Sequence, residues 1–114
     1  MYLGLKKRKE FLRVQGAGKR FRRRHFVMLV LENGMVSSRV GYTVSRRVGN
    51  AVVRNRVRRR LREAVRQNSD SLCKGFDYVI IALPRAAGME FGILCKELTG
   101  LLEEVSGWVS RRDS

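Results

Sequence analysis

The sequence predicts a small α+β sandwich in the order α-β-β-(β)-α-β-α, with a β-α-β crossover in its second half. Three observations predict it. Phe26–Glu32 and Phe76–Leu83 are apolar on both alternating sets of residues, as expected of strands covered on both faces. Between them, Val53, Val57, Leu61 and Ala64 recur at helical spacing over a stretch that ends near Gln67. A second helical pattern over 90–109 directs Phe91, Leu94, Leu98, Leu101, Leu102 and Val105 to one side. A chain of 114 residues suits a single domain, 1–114, with one modest core and a frayed tail over 110–114.

Residues 5–15 read as a short basic helix without a good N-cap. Leu5 and Leu12 point inward, with Phe11 or Val14 beside them, and Gly16 and Gly18 end it. Lys19–His25 follows, as either a short edge strand or a loop. Phe21 within it reads equally as a stacking ring among phosphate-binding arginines or as a core anchor. His25 starts the next strand and has no evident partner. Asn33-Gly34 signals a hairpin from Phe26–Glu32 into a partner strand over Ser38–Ser45. In that strand Val40, Tyr42 and Val44 form one face. Gly41, Thr43 and Ser45 form a small, polar second face that a ligand chain could approach closely. Gly49-Asn50 then opens the central helix, with Asn50 as N-cap. Residues 68–71 form a loop, Pro84 stops the Phe76–Leu83 strand, and Ala86-Ala87-Gly88 turns the chain. If the strands flanking the central helix are parallel, the general rule makes their crossover right-handed.

The charge is large and lopsided. Net charge is +15, yet residues 1–66 hold 20 lysines and arginines against three acids, while residues 67–114 hold five against seven. The central helix carries Arg54, Arg56, Arg58, Arg59, Arg60, Arg62 and Arg66, and Glu63 is the only acid between residues 33 and 69. A solvated helix face usually mixes signs so that i,i+4 pairs form. So many like charges repel, and an anionic partner would offset that repulsion. Guanidinium forks match phosphate, so a nucleic-acid backbone is the expected partner.

Other chemistries find little support. With His25 as the only histidine, and with Cys73 and Cys95 lacking metal-ligand spacing, neither a zinc site nor ordinary side-chain catalysis is expected. The two cysteines read as free thiols in a reducing compartment in preference to a lone disulfide. The apolar runs fall far short of a membrane span, and the basic N-terminus does not read as a signal peptide. The expectation is a cytoplasmic protein with no membrane partner. A DNA-binding regulator fits poorly, because the arginine helix keeps a seam for the core and no dimer heptads follow; no DNA partner is expected. A structural RNA-binding protein or RNA chaperone explains the charge as well as any more specific function.

The run from Arg39 to Glu63 is more specific than its charge. It reads Gly41-Tyr42-Thr43-Val44-Ser45, then Arg46-Arg47, Gly49-Asn50, Arg54-Asn55-Arg56, Arg58-Arg59 and Arg62-Glu63. This closely resembles the signature of the bacterial ribonuclease P protein subunit. Lys9-Glu10-Phe11, Asn33-Gly34 and Phe76-Asp77-Tyr78-Val79-Ile80-Ile81 match the family's order over nearly the whole chain. The resemblance implies a protein cofactor of a ribonucleoprotein endoribonuclease. A large catalytic RNA carries the active site and most of the bound Mg²⁺, and cleaves the 5′ leader from precursor tRNA. The protein binds that RNA and holds the leader in a cleft. Its β-α-β crossover is implied to be left-handed, against the general rule.

By the same resemblance, Arg54, Asn55, Arg56, Arg58, Arg59 and Arg62 match the RNA-facing helix, and Arg46 and Arg47 the basic pair before it. Phe11 matches an aromatic that lines the leader cleft. The chain departs from the family at Gln15 and Leu29, where aromatics are frequent. Phe26, Met28 or Tyr42 could supply apolar leader contacts instead, with Tyr42 equally suited to the core.

Overall fold

The computed structural model describes residues 2–112. Its elements are β1 (Leu3–Gly4), α1 (Arg8–Ala17), β2 (Lys19–Arg22), β3 (Phe26–Glu32), β4 (Arg39–Thr43), α2 (Ala51–Gln67), β5 (Phe76–Ala82) and α3 (Phe91–Arg112), with 3₁₀ turns at Ser69–Ser71 and Pro84–Gly88. The strands form one sheet in the order β1-β4-β5-β3-β2. β4 and β5 are parallel neighbours joined through α2, which is the expected crossover. The short β1, absent from the predicted order, extends the sheet by pairing parallel with β4.

The helices cover both faces of the sheet. α2 and α3 pack on the face made by Phe26, Met28, Val30, Val40, Tyr78 and Ile80. α1 packs on the other, where Val14 and Leu5 meet Leu29 and Val79. Both strands read as apolar on both sides, β3 and β5, therefore lie inside the sheet between two helical layers.

The Asn33-Gly34 hairpin is not formed. β3 pairs antiparallel with β2 and β5, and β5 lies between β3 and β4. The Asn33 side chain instead accepts from the Met35 N–H at 2.7 Å and donates to the Ser37 carbonyl at 3.1 Å and to Asp77 Oδ1 at 2.9 Å. The segment turns because Asn33 folds it locally and clasps β5, and the chain then crosses past β5.

Packing decides the open readings along the chain. Lys19–Arg22 is an edge strand, and Phe21 is a core anchor, 4% exposed, edge-on to Trp108 at 5.8 Å. Leu12, expected inward, is 51% exposed, and Val14 takes the buried position. α1 has a cap after all: Glu10 Oε1 accepts from the Lys7 N–H at 3.1 Å. His25 has a partner too, with Nδ1 2.8 Å from Glu97 Oε2. The expected frayed tail is helical through Arg112, whose guanidinium lies 4.9 Å over the Trp108 ring and bonds Glu32. Residues 113 and 114 of that tail lie outside the described residues.

Candidate nucleic-acid interface

Asn50 starts α2 by accepting from the Val53 N–H at 3.0 Å, a cap worth about 1 kcal/mol. Gly49 before it has φ +157°, and a Cβ there would lie 2.8 Å from Val53 Cγ1. On the inner face of the helix Val57, Leu61, Ala64 and Val65 are buried. Asn55, Arg59, Arg62 and Arg66 are exposed; Arg54, Arg56 and Arg58 are half-buried.

The half-buried arginines differ. Asn55 Oδ1 accepts from Arg58 Nη1 at 3.0 Å and so orients that guanidinium on the outer surface. Arg56 Nη2 is drawn to the Ala87 carbonyl at 3.4 Å, and Arg60 Nη1 to the Met89 carbonyl at 3.0 Å. These two partly serve to hold α2 against the Pro84–Gly88 turn. Arg66 is paired with Glu63, whose carboxyl it holds below the usual range. Among the described residues, Arg46, Arg47, Arg54, Arg58, Arg59 and Arg62 have no carboxylate partner. They form an uncompensated positive surface, which favours a polyanion.

The opposite face of the sheet holds a recess of about 480 Å³ lined by Lys6, Arg8, Phe11, Leu12, Gln15 and Thr43. Gly41 makes it possible. A Cβ there would lie 2.5 Å from Phe11 Cζ and 2.6 Å from Cε2, so the ring rests directly on β4. The close approach read at Gly41 is made by this ring rather than by a ligand chain.

A polar chain anchors α1 above the sheet. Buried Asp77 accepts from Arg39 Nε at 2.8 Å and Nη2 at 2.7 Å, and Arg39 Nη1 donates to Glu10 at 2.6 Å. These anchors sit where β3 finishes and β4 and β5 begin. Phe11 and Thr43 lie toward the other end of the sheet. There β4 leads into the Arg46–Arg47 turn, closed by a 3.1 Å bond from the Val48 N–H to the Ser45 carbonyl, and on into α2. On β2, Arg20 and Arg22 pair with Leu29 and Val27, which places both arginines on the α1 face.

The predicted cleft residues are not brought together. Phe26 and Met28 are both 0% exposed beneath α2 and α3, on the face opposite Phe11. They complete the core and offer no surface to a ligand. Tyr42 is half-buried on that same face, its ring 5.7 Å beneath the Arg62 guanidinium. Of the four, Phe11 alone lines the α1 recess. No sequence motif joined Glu10, Arg39 and Asp77 as a unit. The available signal was Asp77 itself, a lone acid inside an otherwise apolar interior strand.

Among the described residues, no group of three or more His, Cys, Asp and Glu is placed to hold a metal ion, and no helix is long and apolar enough to cross a membrane. Cys73 and Cys95 are both free.

Comparison with known proteins gives a consistent result. A profile of the family described as Ribonuclease P matches residues 2–106. The ribonuclease P protein component of Syntrophus aciditrophicus is 40% identical over 98 residues, covering 86% of this chain and 82% of the relative. That of Clostridioides difficile is 41% identical over 101 residues, covering 88% and 89%. The solved RNase P protein of Thermotoga maritima superposes with a TM-score of 0.80 at 35% identity, covering 88% of this chain and 94% of that one. The Staphylococcus aureus RNase P protein gives 0.82 at 27%, covering 92% and 96%.

Proposed function

The chain belongs to the ribonuclease P protein family, and on that premise we propose how its two surfaces divide the work between two RNAs. It is the protein cofactor in removal of the 5′ leader from precursor tRNA, a function that the family supports over that of a general RNA chaperone. The RNA subunit performs the cleavage and holds most of the Mg²⁺ the reaction needs. The outer face of α2, with Arg54, Asn55, Arg58, Arg59 and Arg62, binds the catalytic RNA. Arg56 contributes at its margin. The recess at Phe11 takes the leader, with Lys6 and Arg8 on one side and Arg20 and Arg22 across the sheet to hold its phosphates. Arg46 and Arg47 sit between the two, where leader and catalytic RNA meet. The work is placed in the cytoplasm, with the precursor tRNAs.

One observation carries this reading. The Phe11 recess lies toward the end of the sheet from which the Arg46–Arg47 turn leads into α2, so one RNA track can pass from cleft to helix. Phosphate contacts give affinity without reading sequence, and a ring stacks on any base. That combination suits leaders that differ from one tRNA to the next.

The test is Phe11→Ala with precursors carrying long, short and no leader. Stacking is worth about 1–3 kcal/mol per base, so affinity for leader-bearing precursor should fall at least about fivefold. Binding of catalytic RNA and of leaderless tRNA should be unchanged. Equal losses on all three substrates would place the leader elsewhere.

A further inference from the structure

A second recess, of about 660 Å³, opens on the α2 face between the helix and the β1–β4 edge. Its apolar side is formed by Tyr2, Tyr42 and Phe91, all half-buried, and its rim carries Arg59, Arg62 and Arg66. Among the described residues, the only carboxylate lining it is Glu63, engaged by Arg66. Arg62 already lies over the Tyr42 ring. The buried Tyr42 hydroxyl makes no well-formed hydrogen bond among the described residues, although Tyr2 stands beside it.

This combination has a definite chemistry. Aromatic rings beside a solvent-open space offer a stacking platform, and guanidinium groups around it offer phosphate ligands. A purely apolar ligand would leave the cationic rim uncompensated, and an inorganic anion would leave the rings unused. A nucleotide uses both. The volume is in the range of ordinary small-ligand pockets and accommodates a base with its ribose.

We propose that this recess receives an unstacked nucleobase of the catalytic RNA, stacked against Tyr2 and Tyr42 with its flanking phosphates on Arg59 and Arg62. The inference rests on the assignment of α2 to the catalytic RNA. The leader is not the source, because its recess lies on the opposite face of the sheet. Tyr2 enters the interface by this route. It stands just before β1, and that strand's pairing with β4 carries it to the pocket.

The test measures affinity for ribonuclease P RNA across a salt series, using the full chain, Tyr2→Leu and Tyr2→Phe, with Arg59→Gln as the phosphate-contact comparison. Tyr2→Leu should weaken binding about tenfold at every salt concentration and leave the slope of log K against log salt unchanged, because stacking releases no counterions. Tyr2→Phe keeps a ring and should bind as the unsubstituted chain does. Arg59→Gln should reduce the slope. Dependence of cleavage on leader length should be the same in both tyrosine variants. Unaltered affinity in Tyr2→Leu, or a reduced slope in it, would overturn the base pocket and leave the α2 assignment standing. Failure of the unsubstituted chain to bind the RNA would overturn that assignment and the pocket with it. Should Tyr2→Leu melt early, Phe91→Leu takes its place. Ultraviolet cross-linking of the unsubstituted complex gives a second readout, with a nucleotide expected on Tyr2 or Tyr42 and none there if the pocket stays empty.

Discussion

Replacing Asp77 with asparagine would remove the charge that Arg39 answers through both Nε and Nη2. Asp77 is fully buried, and neutralising it leaves the Arg39 guanidinium with Glu10 as its remaining carboxylate partner. Asp77→Asn should therefore cost about 1.5–3 kcal/mol in urea unfolding. Glu10, at the surface end of the same chain, makes a pH prediction. Its carboxyl is held below the ordinary value of 4.5, first by the Lys7 backbone N–H and further by Arg39, against the opposing effect of desolvation. A carboxylate with a lower pKa when folded stabilises the fold above its unfolded value, and that stability is lost as pH falls through the folded value. The unsubstituted chain should thus exceed Glu10→Gln in urea midpoint at neutral pH. The gap should close as the pH is taken below 4.5. A gap independent of pH would mean that Glu10 acts by packing rather than by charge.

At the scale of the element, α2 was the most legible part of the chain. Its cap, its seam and its end at Gln67 follow from Asn50, from the spacing of Val57, Leu61 and Ala64, and from its length. These are local properties, and local properties can be read along a sequence. Strand pairing is not local. Asn33-Gly34 has the residues of a hairpin, but β5, over forty residues later, takes the place beside β3 because it offers seven paired positions and a face apolar on both sides. The error in the cleft has the same origin. Phe26 and Met28 are suitable residues, and only the sheet order and the placement of three helices decide which face is covered. Two outward-facing arginines of α2 make the element's prediction. Arg58→Ala with Arg62→Ala should lower the salt slope of RNA binding by about one to two units. The unfolding midpoint should hardly move, since the main loss to the fold is the contact of Arg62 with Tyr42, worth about 0.5–1 kcal/mol. A large fall in stability would mean that these side chains support the core.

On the proposed assignment, the whole molecule is a sheet that offers a different RNA to each face. Charge follows that division only in part: the α1 face, the Arg46–Arg47 turn and α2 are all basic, while α3 balances Lys96, Arg111 and Arg112 with Glu97, Glu103 and Glu104. A net charge of +15 therefore does not spread evenly, and α3 adds nothing to it. The sequence made the positive surface evident but not its two-sided arrangement, because Gly41, on which the Phe11 ring rests, and Tyr42 differ in face only through the pleat of β4. Both surfaces have their roles only if the chain acts as a cofactor of a catalytic RNA. The most direct measurement is cleavage of precursor tRNA by a bacterial ribonuclease P RNA at low Mg²⁺, with and without the chain. The account predicts strong stimulation that depends on the leader. Tight RNA binding with no stimulation would contradict it.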